Sequence, residues 1–349
     1  MPKPTAGPEN QQPSHSMGNP PASKRLTVAI VIPVFDDWPS AAVLLGLLDR
    51  RAGVAGVGMT VTLVDDGSTQ PLPEPLLDTL QHLERVELLQ LHCNLGHQRA
   101  IAVGLSRTMQ GLKADAVIVM DSDGEDSPDD LFRLIERHTV HPEAIVVASR
   151  SKRSEGVRFR LFYRVYKIIF RLLTGKTIDF GNFCLLPAGA ALRIIHTADC
   201  WNHLAASIVR SRLPLERVHT ARASRLAGRS SMNLVGLVTH GFSAISVFSD
   251  VVLTRLLILA AATAVMAAAT GLTAGALRLF TDLAIPGWAS SVVGFSVLLL
   301  FQTLSLLAVM IFMSLSNRSS VLFVPALLAA DYIRAIHTIH PRNDTRGSD

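Results

Sequence analysis

The segment VIVMDSDGEDSPDDL, residues 117–131, brings six carboxylates close together in the chain. An apolar run ends at Asp121, and Asp123 and Glu125 follow at alternate positions. Carboxylates this close repel one another, so a cation is expected among them. Their hard oxygens suit Mg²⁺ or Mn²⁺, and Mg²⁺ is usually held by one or two carboxylates together with substrate phosphates. We therefore predict a metal site at Asp121, Asp123 and Glu125 that takes a phosphorylated ligand, such as a diphosphate.

A purely structural interpretation explains only part of this acidic segment. Residues 127–130 (SPDD) are typical of a helix start, where acidic side chains face the positive end of the helix dipole. That interpretation leaves Asp121 and Asp123 unexplained, because they stand at the end of a predicted strand. An EF-hand is excluded, since its glycine belongs at loop position six and Gly124 stands at position four.

The elements that must position these acids are five apolar, β-rich segments: LTVAIVIPVF, GMTVTLVDDGS, VELLQLHCNLG, ADAVIVMDSDG and EAIVVASR. Helical patterns lie between them, including SAAVLLGLLDRRA with Ser40 as its predicted N-cap, and HQRAIAVGLSRTM. This alternation predicts βαβ units and a largely parallel sheet.

Polar clusters follow four of the predicted strands. They are Phe35-Asp36-Asp37, Asp65-Asp66-Gly67-Ser68, Asn94-Leu95-Gly96-His97 and Asp121-Ser122-Asp123. In such sheets, ligands bind at the carboxyl ends of the strands. We therefore expect all four clusters to meet at one edge of the sheet.

The chain is too apolar for an ordinary soluble protein, with 49% hydrophobic residues among 349. Residues 256–277 and 283–317 contain no charged side chain, and each run exceeds the about 20 apolar residues that cross a bilayer as a helix. Basic residues concentrate between Arg150 and Arg229 and after the second run, whereas the segment between the runs holds only Arg278 and Asp282. By the positive-inside rule, both ends of the chain are predicted to be cytoplasmic.

Upstream of these runs, the segment VRFRLFYRVYKIIFRLLTG has basic residues at helical spacing on one face and apolar residues over most of the rest. This pattern predicts a basic amphipathic helix in the membrane interface, although a core helix with a solvated basic face has the same pattern. NLVGLVTHGFSAISVF is a candidate for a second interfacial helix. The three cysteines show no metal-ligand spacing and are predicted to be reduced.

The motifs VIPVFDDW, VDDGS, NLGHQRA, MDSDGED and GNFCLL, in this order, resemble those of family 2 glycosyltransferases with the A-type nucleotide-sugar fold. With two C-terminal spans, the chain is most similar to polyprenyl-phosphate glycosyltransferases, such as dolichol-phosphate mannose synthases and bacterial undecaprenyl-phosphate glucosyltransferases. The resemblance extends roughly over residues 27–316. It implies a Rossmann-like mixed α/β sheet, followed by interfacial helices and two transmembrane helices.

The resemblance also implies where the nucleotide sugar binds. The implied residues are Pro33, Phe35, Asp37, Asp65, Asp66, Asp121, Ser122 and Asp123. Metal and diphosphate binding is implied for Asp121, Asp123 and Glu125, with Asp121 and Asp123 counted as catalytic. Phe35, Asp37 and Glu125 stand where the family has Tyr, Glu and Gln, so the identity of the nucleotide stays open.

Acceptor-phosphate binding is implied for Arg150, Arg225, Arg229 and Ser230, with Arg150 also counted as catalytic. Ser149-Arg150 matches the family's Ser/Thr-Arg after the next strand, and RLAGRSS matches its R-x-x-G-x-S-K motif. In this sequence Ser231 replaces the lysine of that motif.

The implied reaction transfers one sugar, with inversion, from a UDP- or GDP-linked donor to a polyprenyl phosphate. A phosphate acceptor is already ionised near neutral pH, so positioning and a metal that neutralises the leaving diphosphate would lower the barrier without a strong base. The predicted partners are the nucleotide sugar, the lipid phosphate and the membrane. No nucleic-acid partner is predicted, and a homo-oligomer is left open.

Three other classes stay open from the sequence. A processive polysaccharide synthase would carry a Q/R-x-x-R-W motif, whereas Trp201 stands in DCWNHL without that context. A haloacid-dehalogenase-like phosphatase has a strand followed by D-x-D-G-T/V, but Glu125 replaces the threonine and three strands come before the motif. A non-catalytic nucleotide-binding membrane protein would have less reason to keep acids at every strand end.

The predicted organisation has seven parts. They are a disordered tail (1–25), a cytoplasmic glycosyltransferase domain (26–232) with its basic interfacial helix (158–174), a juxtamembrane segment (233–250), two transmembrane helices (251–277 and 288–316), and a cytoplasmic C-terminal tail (317–349).

Overall fold

A computed structural model describes residues 25–70, 72, 80–150, 157–221, 223–227, 234–281, 287–319 and 323–341. The predicted N-terminal tail lies outside these residues, apart from Arg25.

The first half of the described chain alternates strands and helices, as the sequence predicts. Its elements are β1 (Thr27–Val34), α1 (Trp38–Ala55), β2 (Gly58–Asp65), β3 (Arg85–Leu91), α2 (His97–Gly111), β4 (Ala116–Val119), α3 (Pro128–Val140) and β5 (Ile145–Arg150).

The second half combines three further strands with the helices that lead to and from the apolar runs. Its elements are α4 (Val157–Thr174), β6 (Phe180–Pro187), α5 (Ala188–Ile195), α6 (Asp199–Asn202), α7 (Leu204–Ser211), β7 (Leu215–Thr220), α8 (Leu234–Ser246), α9 (Ser249–Phe280), α10 (Trp288–Ser319), α11 (Pro325–Leu328), a 3-10 turn (Ala329–Tyr332) and β8 (Ile333–Pro341).

The strands form one mixed sheet in the order β7-β5-β6-β4-β1-β2-β3-β8. β1 to β5 and β7 run in one direction, whereas β6 and β8 are antiparallel to their neighbours. β1 to β5 and β7 therefore end at the same side of the sheet, here named the carboxyl edge, and β6 begins there. The predicted mixed α/β fold is confirmed.

Alternate residues of β1 point into two separate cores, as expected for a sheet covered on both faces. Ile30 and Ile32 pack in the core that also contains residues of α1 and α3. Ala29 and Val31 pack in the other core, which contains residues of α2, α5 and α7. Helices on both faces thus hold the strands in place, and the loops at the carboxyl edge start from a rigid base.

The start of α1 differs from the sequence-based expectation. α1 begins at Trp38 with Asp37 in the N-cap position, whereas Ser40 was expected there. Ser40 lies inside the first turn, and its hydroxyl donates to Asp37 Oδ1 at 2.7 Å. Pro39 explains the earlier start, because proline is favoured in the first turn of a helix.

α9 and α10 are 32 residues each and cover the two apolar runs. Only 6% of the apolar part of α9 and 11% of that of α10 are buried in the structure. A core helix of a soluble protein would be mostly buried, and a signal sequence would lie near the N-terminus. The two helices pack against each other, where Gly271 of α9 faces Ser296 of α10, as expected for a membrane-spanning pair.

The segment after α10 is not simply a tail. β8 pairs antiparallel with β3 and adds an eighth strand to the sheet. The backbone carbonyl of Tyr332 accepts the backbone N–H of His92 at 3.0 Å. Phe323 stacks on Trp201 with ring centroids 3.8 Å apart. The chain therefore returns to the sheet after α10. Local sequence patterns did not predict this, because an edge strand gains its stability from the distant β3.

Candidate active site

Four loops meet at the carboxyl edge, as the sequence predicts. They follow β1 (residues 35–37), β2 (66–70), β3 (92–96) and β4 (121–126, here named the acidic loop). The start of β6 and residues 223–227, after β7, lie at the same edge because of the strand directions. Residues 223–227 also bond directly to the acidic loop, where the backbone carbonyl of Asp123 accepts the backbone N–H of Leu226 at 2.9 Å.

The carboxylates of Asp65 and Asp66 stabilise the loops that follow β2 and β3. Asp65 accepts the backbone N–H of Ser68 at 2.8 Å. The two oxygens of Asp66 accept the backbone N–H groups of Leu95 at 2.7 Å and Gly96 at 3.0 Å. Burial raises the pKa of the Asp66 carboxyl, although these two hydrogen bonds partly oppose the rise. Both carboxylates thus accept hydrogen bonds that fix the backbone of the loops at the carboxyl edge.

Gly67 allows the loops after β2 and β3 to touch. Its φ is 74°, and an added Cβ would lie 2.8 Å from the backbone nitrogen of Asn94. Both the left-handed backbone and the close approach require glycine. This gives the VDDGS motif a structural role beside the predicted nucleotide contact.

Asp36 joins the first loop to the second. Its carboxylate accepts the backbone N–H of Thr69 at 2.7 Å, and its own N–H donates to the hydroxyl of Ser68 at 3.0 Å. The preceding Phe35 is 50% exposed, so its ring is open to a ligand. Pro33 lies inside the sheet, opposite Val64 of β2.

Arg225 lies between two of the predicted site carboxylates. Its Nη2 is 2.7 Å from Asp37 Oδ2, and its Nη1 is 3.4 Å from Asp123 Oδ2. Its Nε donates to the carbonyl of Ala227 at 2.8 Å, which fixes the plane of the guanidinium. Arg225 therefore neutralises acids at the predicted donor side, whereas the sequence predicted that it binds the acceptor phosphate.

The acidic loop concentrates negative charge around Asp123. Burial, together with repulsion by Asp121 and Glu125, raises the pKa of the Asp123 carboxyl. The backbone N–H of Glu125, 3.0 Å from Asp123 Oδ1, and the charge of Arg225 oppose that rise.

His97 is a site residue to which the sequence patterns assigned no role. Its Nε2 is 3.2 Å from Asp121 Oδ1 and 2.9 Å from Asn182 Nδ2. Burial disfavours the charged imidazole, but the carboxylates of Asp121, Asp66 and Asp123 outweigh it and raise the pKa of His97. Its only signal in the sequence is its place in NLGHQRA, directly after a strand end.

A chain of hydrogen bonds fixes the side chains behind His97. The backbone N–H of Leu204 donates to Gln98 Oε1 at 2.8 Å, so the amide nitrogen of Gln98 faces Asn182. That nitrogen donates to Asn182 Oδ1 at 3.0 Å. The amide of Asn182, in the GNFCLL motif, is thereby held beside His97.

The predicted metal site at Asp121, Asp123 and Glu125 stays a prediction. Among the described residues, no three His, Cys, Asp or Glu side chains are grouped closely enough to hold a metal ion. Asp121 and Asp123 nevertheless suit a cation that arrives with its ligand, because Mg²⁺ needs only one or two carboxylates when phosphates supply the other oxygens.

The remaining predicted residues are only partly described. Ser122 and Ser149 are buried. Arg150 ends β5 opposite Thr220 of β7, which places its backbone at the carboxyl edge, and its side chain lies outside the described part of the structure. Arg229 and Ser230 also lie outside the described residues.

Comparison with known proteins agrees with this geometry. Residues 29–196 match the model of glycosyl transferase family 2. Undecaprenyl-phosphate 4-deoxy-4-formamido-L-arabinose transferase of Pectobacterium atrosepticum is 26% identical over 219 residues, 60% of this chain and 65% of that protein. The chain thus spans just under two thirds of that relative.

Two further similarities extend over more of the chain. The uncharacterized glycosyltransferase YkcC of Bacillus subtilis is 26% identical over 294 residues, 82% of this chain and 87% of that protein. The crystal structure of mannosyl-3-phosphoglycerate synthase from Rubrobacter xylanophilus overlaps with a TM-score of 0.47 at 14% identity, over 76% of this chain and 79% of that chain. At this overlap, nothing about the ligands of that enzyme is transferred to this chain.

Proposed function

We propose that this chain, whose residues 29–196 match the model of glycosyl transferase family 2, is a glycosyltransferase that moves a sugar from a nucleoside diphosphate sugar to a polyprenyl phosphate. The observation that carries this proposal is the meeting of Asp37, Asp121 and Asp123 at the carboxyl edge of a domain that continues into two apolar helices. The relatives named as undecaprenyl-phosphate transferases support a lipid phosphate as acceptor.

On the donor side, Asp121 and Asp123 would hold Mg²⁺ or Mn²⁺ that arrives with the diphosphate. The ion, when bound, neutralises the negative charge that develops on the leaving diphosphate. Asp37 and Arg225 close the other side of this space, and the exposed ring of Phe35 offers an apolar surface beside it. Asp65 and Asp66 support the nucleotide indirectly, since their hydrogen bonds hold the loops after β2 and β3.

On the acceptor side, a phosphate that is already ionised attacks the anomeric carbon from the face opposite the diphosphate, which inverts that centre. Two anions must then approach each other, so a cation is needed between them. Arg150 is the leading candidate, because β5 ends at the same edge as β4. Arg150→Ala should abolish nearly all transfer and leave donor binding without lipid unchanged; equal loss of donor binding would contradict this role.

The catalytic domain and both termini are proposed to lie in the cytoplasm. The pairing of β8 with β3 supports a common location for the C-terminal segment and the catalytic domain, since it returns the chain to that domain after α10. α4 supports membrane contact: it exposes Val165, Ile168, Ile169 and Leu172 beside basic residues. A cysteine introduced at Thr281 should react with an impermeant thiol reagent from outside the cell, and reaction only from the cytoplasmic side would overturn the orientation.

The proposed transfer reaction can be tested directly with a panel of donor sugars and one lipid acceptor. Membranes containing the full chain should be incubated with undecaprenyl phosphate and, separately, with labelled UDP- and GDP-sugars, with and without Mn²⁺. We expect one donor to label the lipid in a metal-dependent manner. Label in a polymer would indicate a processive synthase, and metal-dependent phosphate release through a phospho-aspartate would indicate a phosphatase. Label in no lipid with any donor would contradict the proposal.

A further inference from the structure

A pair of histidines joins the catalytic domain to the helix that leads into the membrane. His203 occupies the N-cap of α7 and is 4% exposed. His240 lies on α8, which precedes the first apolar helix. Their Nε2 atoms are 3.1 Å apart, and their ring centroids are 4.4 Å apart. The sequence patterns assign no function to either residue.

The N-cap contact determines where both rings carry their protons. Nδ1 of His203 accepts the backbone N–H of Ala206 at 3.3 Å, so the proton of the neutral ring lies on Nε2. This Nε2–H donates to Nε2 of His240, and the proton of His240 must then lie on its Nδ1. Burial, with the nearby His240 and His97, lowers the pKa of His203 to about 3, and burial also lowers the pKa of His240. Both rings are therefore neutral near pH 7.

The pair lies close to the candidate active site. The backbone N–H of Leu204, the first residue of α7, bonds to Gln98 at 2.8 Å, and Gln98 follows His97 in the chain. His97 contacts Asp121 at 3.2 Å. The charges of His97 and Asp121 both act on the ring of His240, which puts that ring within electrostatic range of the acidic loop.

Packing fixes the position of α8 and thereby of its histidine. Ala244 of α8 belongs to a small buried cluster with Phe170 of α4 and Ala206 of α7. An added Cβ at Gly241 would lie 2.8 Å from the ring of Tyr166 on α4, so the two helices are in close contact beside His240. A side chain held in this way loses little entropy when it binds a ligand.

We propose that His240 binds the phosphate of the lipid acceptor through its Nδ1–H, and that His203 is a positioning residue that holds this tautomer. This rests on the proposed function. Within the described part of the chain, Nδ1 of His240 makes no hydrogen bond. A phosphate monoester offers three strong acceptor oxygens, and a lipid phosphate arrives from the side to which α8 leads. A neutral N–H donor stabilises that anion without forming an ion pair with Asp121.

The test uses the fact that an asparagine amide can take the place of Nδ1, whereas a glutamine amide takes the place of Nε2. His240→Asn, His240→Gln and His240→Phe are compared in the purified full-length protein, with undecaprenyl phosphate and the donor found in the substrate test. We expect His240→Asn to keep the KM for the lipid within about 3-fold, and the other two variants to raise it about 10-fold, since hydrogen bonds to charged groups are among the strong ones. The KM for the donor should not change.

His203→Asn tests the positioning role. Its amide oxygen still accepts the Ala206 N–H and keeps the cap, but the side chain no longer reaches His240, so the KM for the lipid should rise with the stability unchanged. His196→Asn is the matched control, because His196 is exposed and bonds only locally to the Leu192 carbonyl. It should leave both KM values unchanged.

Two results would overturn the inference. The first is the same KM for the lipid in His240→Asn, His240→Gln and His240→Phe. The second is a rise in donor KM that matches the rise for the lipid, which would indicate a general structural change. If the wild-type protein transfers no sugar to undecaprenyl phosphate from any donor, the proposed function itself fails, and that result is seen before any variant is made.

Discussion

Asp66 and Asp123 lie in loops that follow the two strands beside β1, and they invite comparison. Asp66 is buried and Asp123 is half-buried, and desolvation raises the pKa of both carboxyls. Asp66 gives its two oxygens to the fixed backbone N–H groups of Leu95 and Gly96. Asp123 bonds one backbone N–H and otherwise faces Arg225 at 3.4 Å.

This difference separates a carboxylate that fixes the backbone of the loops from one that we propose to bind a ligand. A backbone N–H cannot leave without unfolding a loop, whereas a guanidinium on a long side chain can move aside when a metal and a diphosphate arrive. Asp36 resembles Asp66, because it accepts the N–H of Thr69 across two loops. Asp121 resembles Asp123, because its neighbour is the side chain of His97.

The largest effect is expected at Asp123. Asp123→Asn should lower transfer at least about 100-fold, because the metal and the diphosphate lose a charged ligand in a site from which water is largely excluded. The melting temperature should stay close to that of the wild type, since the change relieves repulsion with Asp121 and Glu125. Transfer assays and thermal unfolding in detergent measure the two quantities.

Asp129→Asn is the control from the same acidic segment. Asp129 lies in the first turn of α3, is mostly exposed and contacts Arg51. Its variant should retain nearly full activity. Full activity of Asp123→Asn, or of the wild type in excess chelator, would show that the acidic loop does not hold a catalytic metal.

A smaller effect, of a different kind, is expected at Asp66. Asp66→Asn places an amide N–H against one of two backbone N–H groups, so one buried donor loses its acceptor. The free energy of unfolding should fall by about 1–3 kcal/mol. Activity should fall only as far as folded protein is lost. Unchanged stability combined with a complete loss of donor binding would contradict a purely structural role. It would indicate that Asp66 binds the donor directly, as proposed for Asp123.

The smallest effect is expected at Asp36. Its φ is 50°, a conformation that asparagine tolerates better than most residues, and an amide oxygen still accepts from Thr69. Asp36→Asn should therefore cost less than about 1 kcal/mol, and Asp36→Ala should cost more, because it loses both the acceptor and the tolerance for this backbone. Equal unfolding midpoints for the two variants would show that the loop does not depend on this contact.

Much of the fold could be predicted from local sequence. The alternation of apolar strands and helical patterns from β1 to β5 fixes a parallel arrangement, since a strand, a helix and a second strand connect in one favoured way. The polar clusters at the strand ends then meet at one edge without any further information. The two apolar runs likewise identify α9 and α10, because a long uncharged helix with little buried surface needs an apolar solvent.

Other features depend on contacts between distant parts of the chain, and only the tertiary structure decides them. β8 is stabilised by β3, more than 240 positions earlier in the sequence. Arg225 meets Asp37 across 188 positions, so this contact is invisible in a local motif. The contact between His203 and His240 carries no local signal either, since it joins two rings that are 37 positions apart in the sequence. Residue types and spacing thus determine which groups reach the edge of the sheet, and packing determines which of their atoms remain available for a ligand.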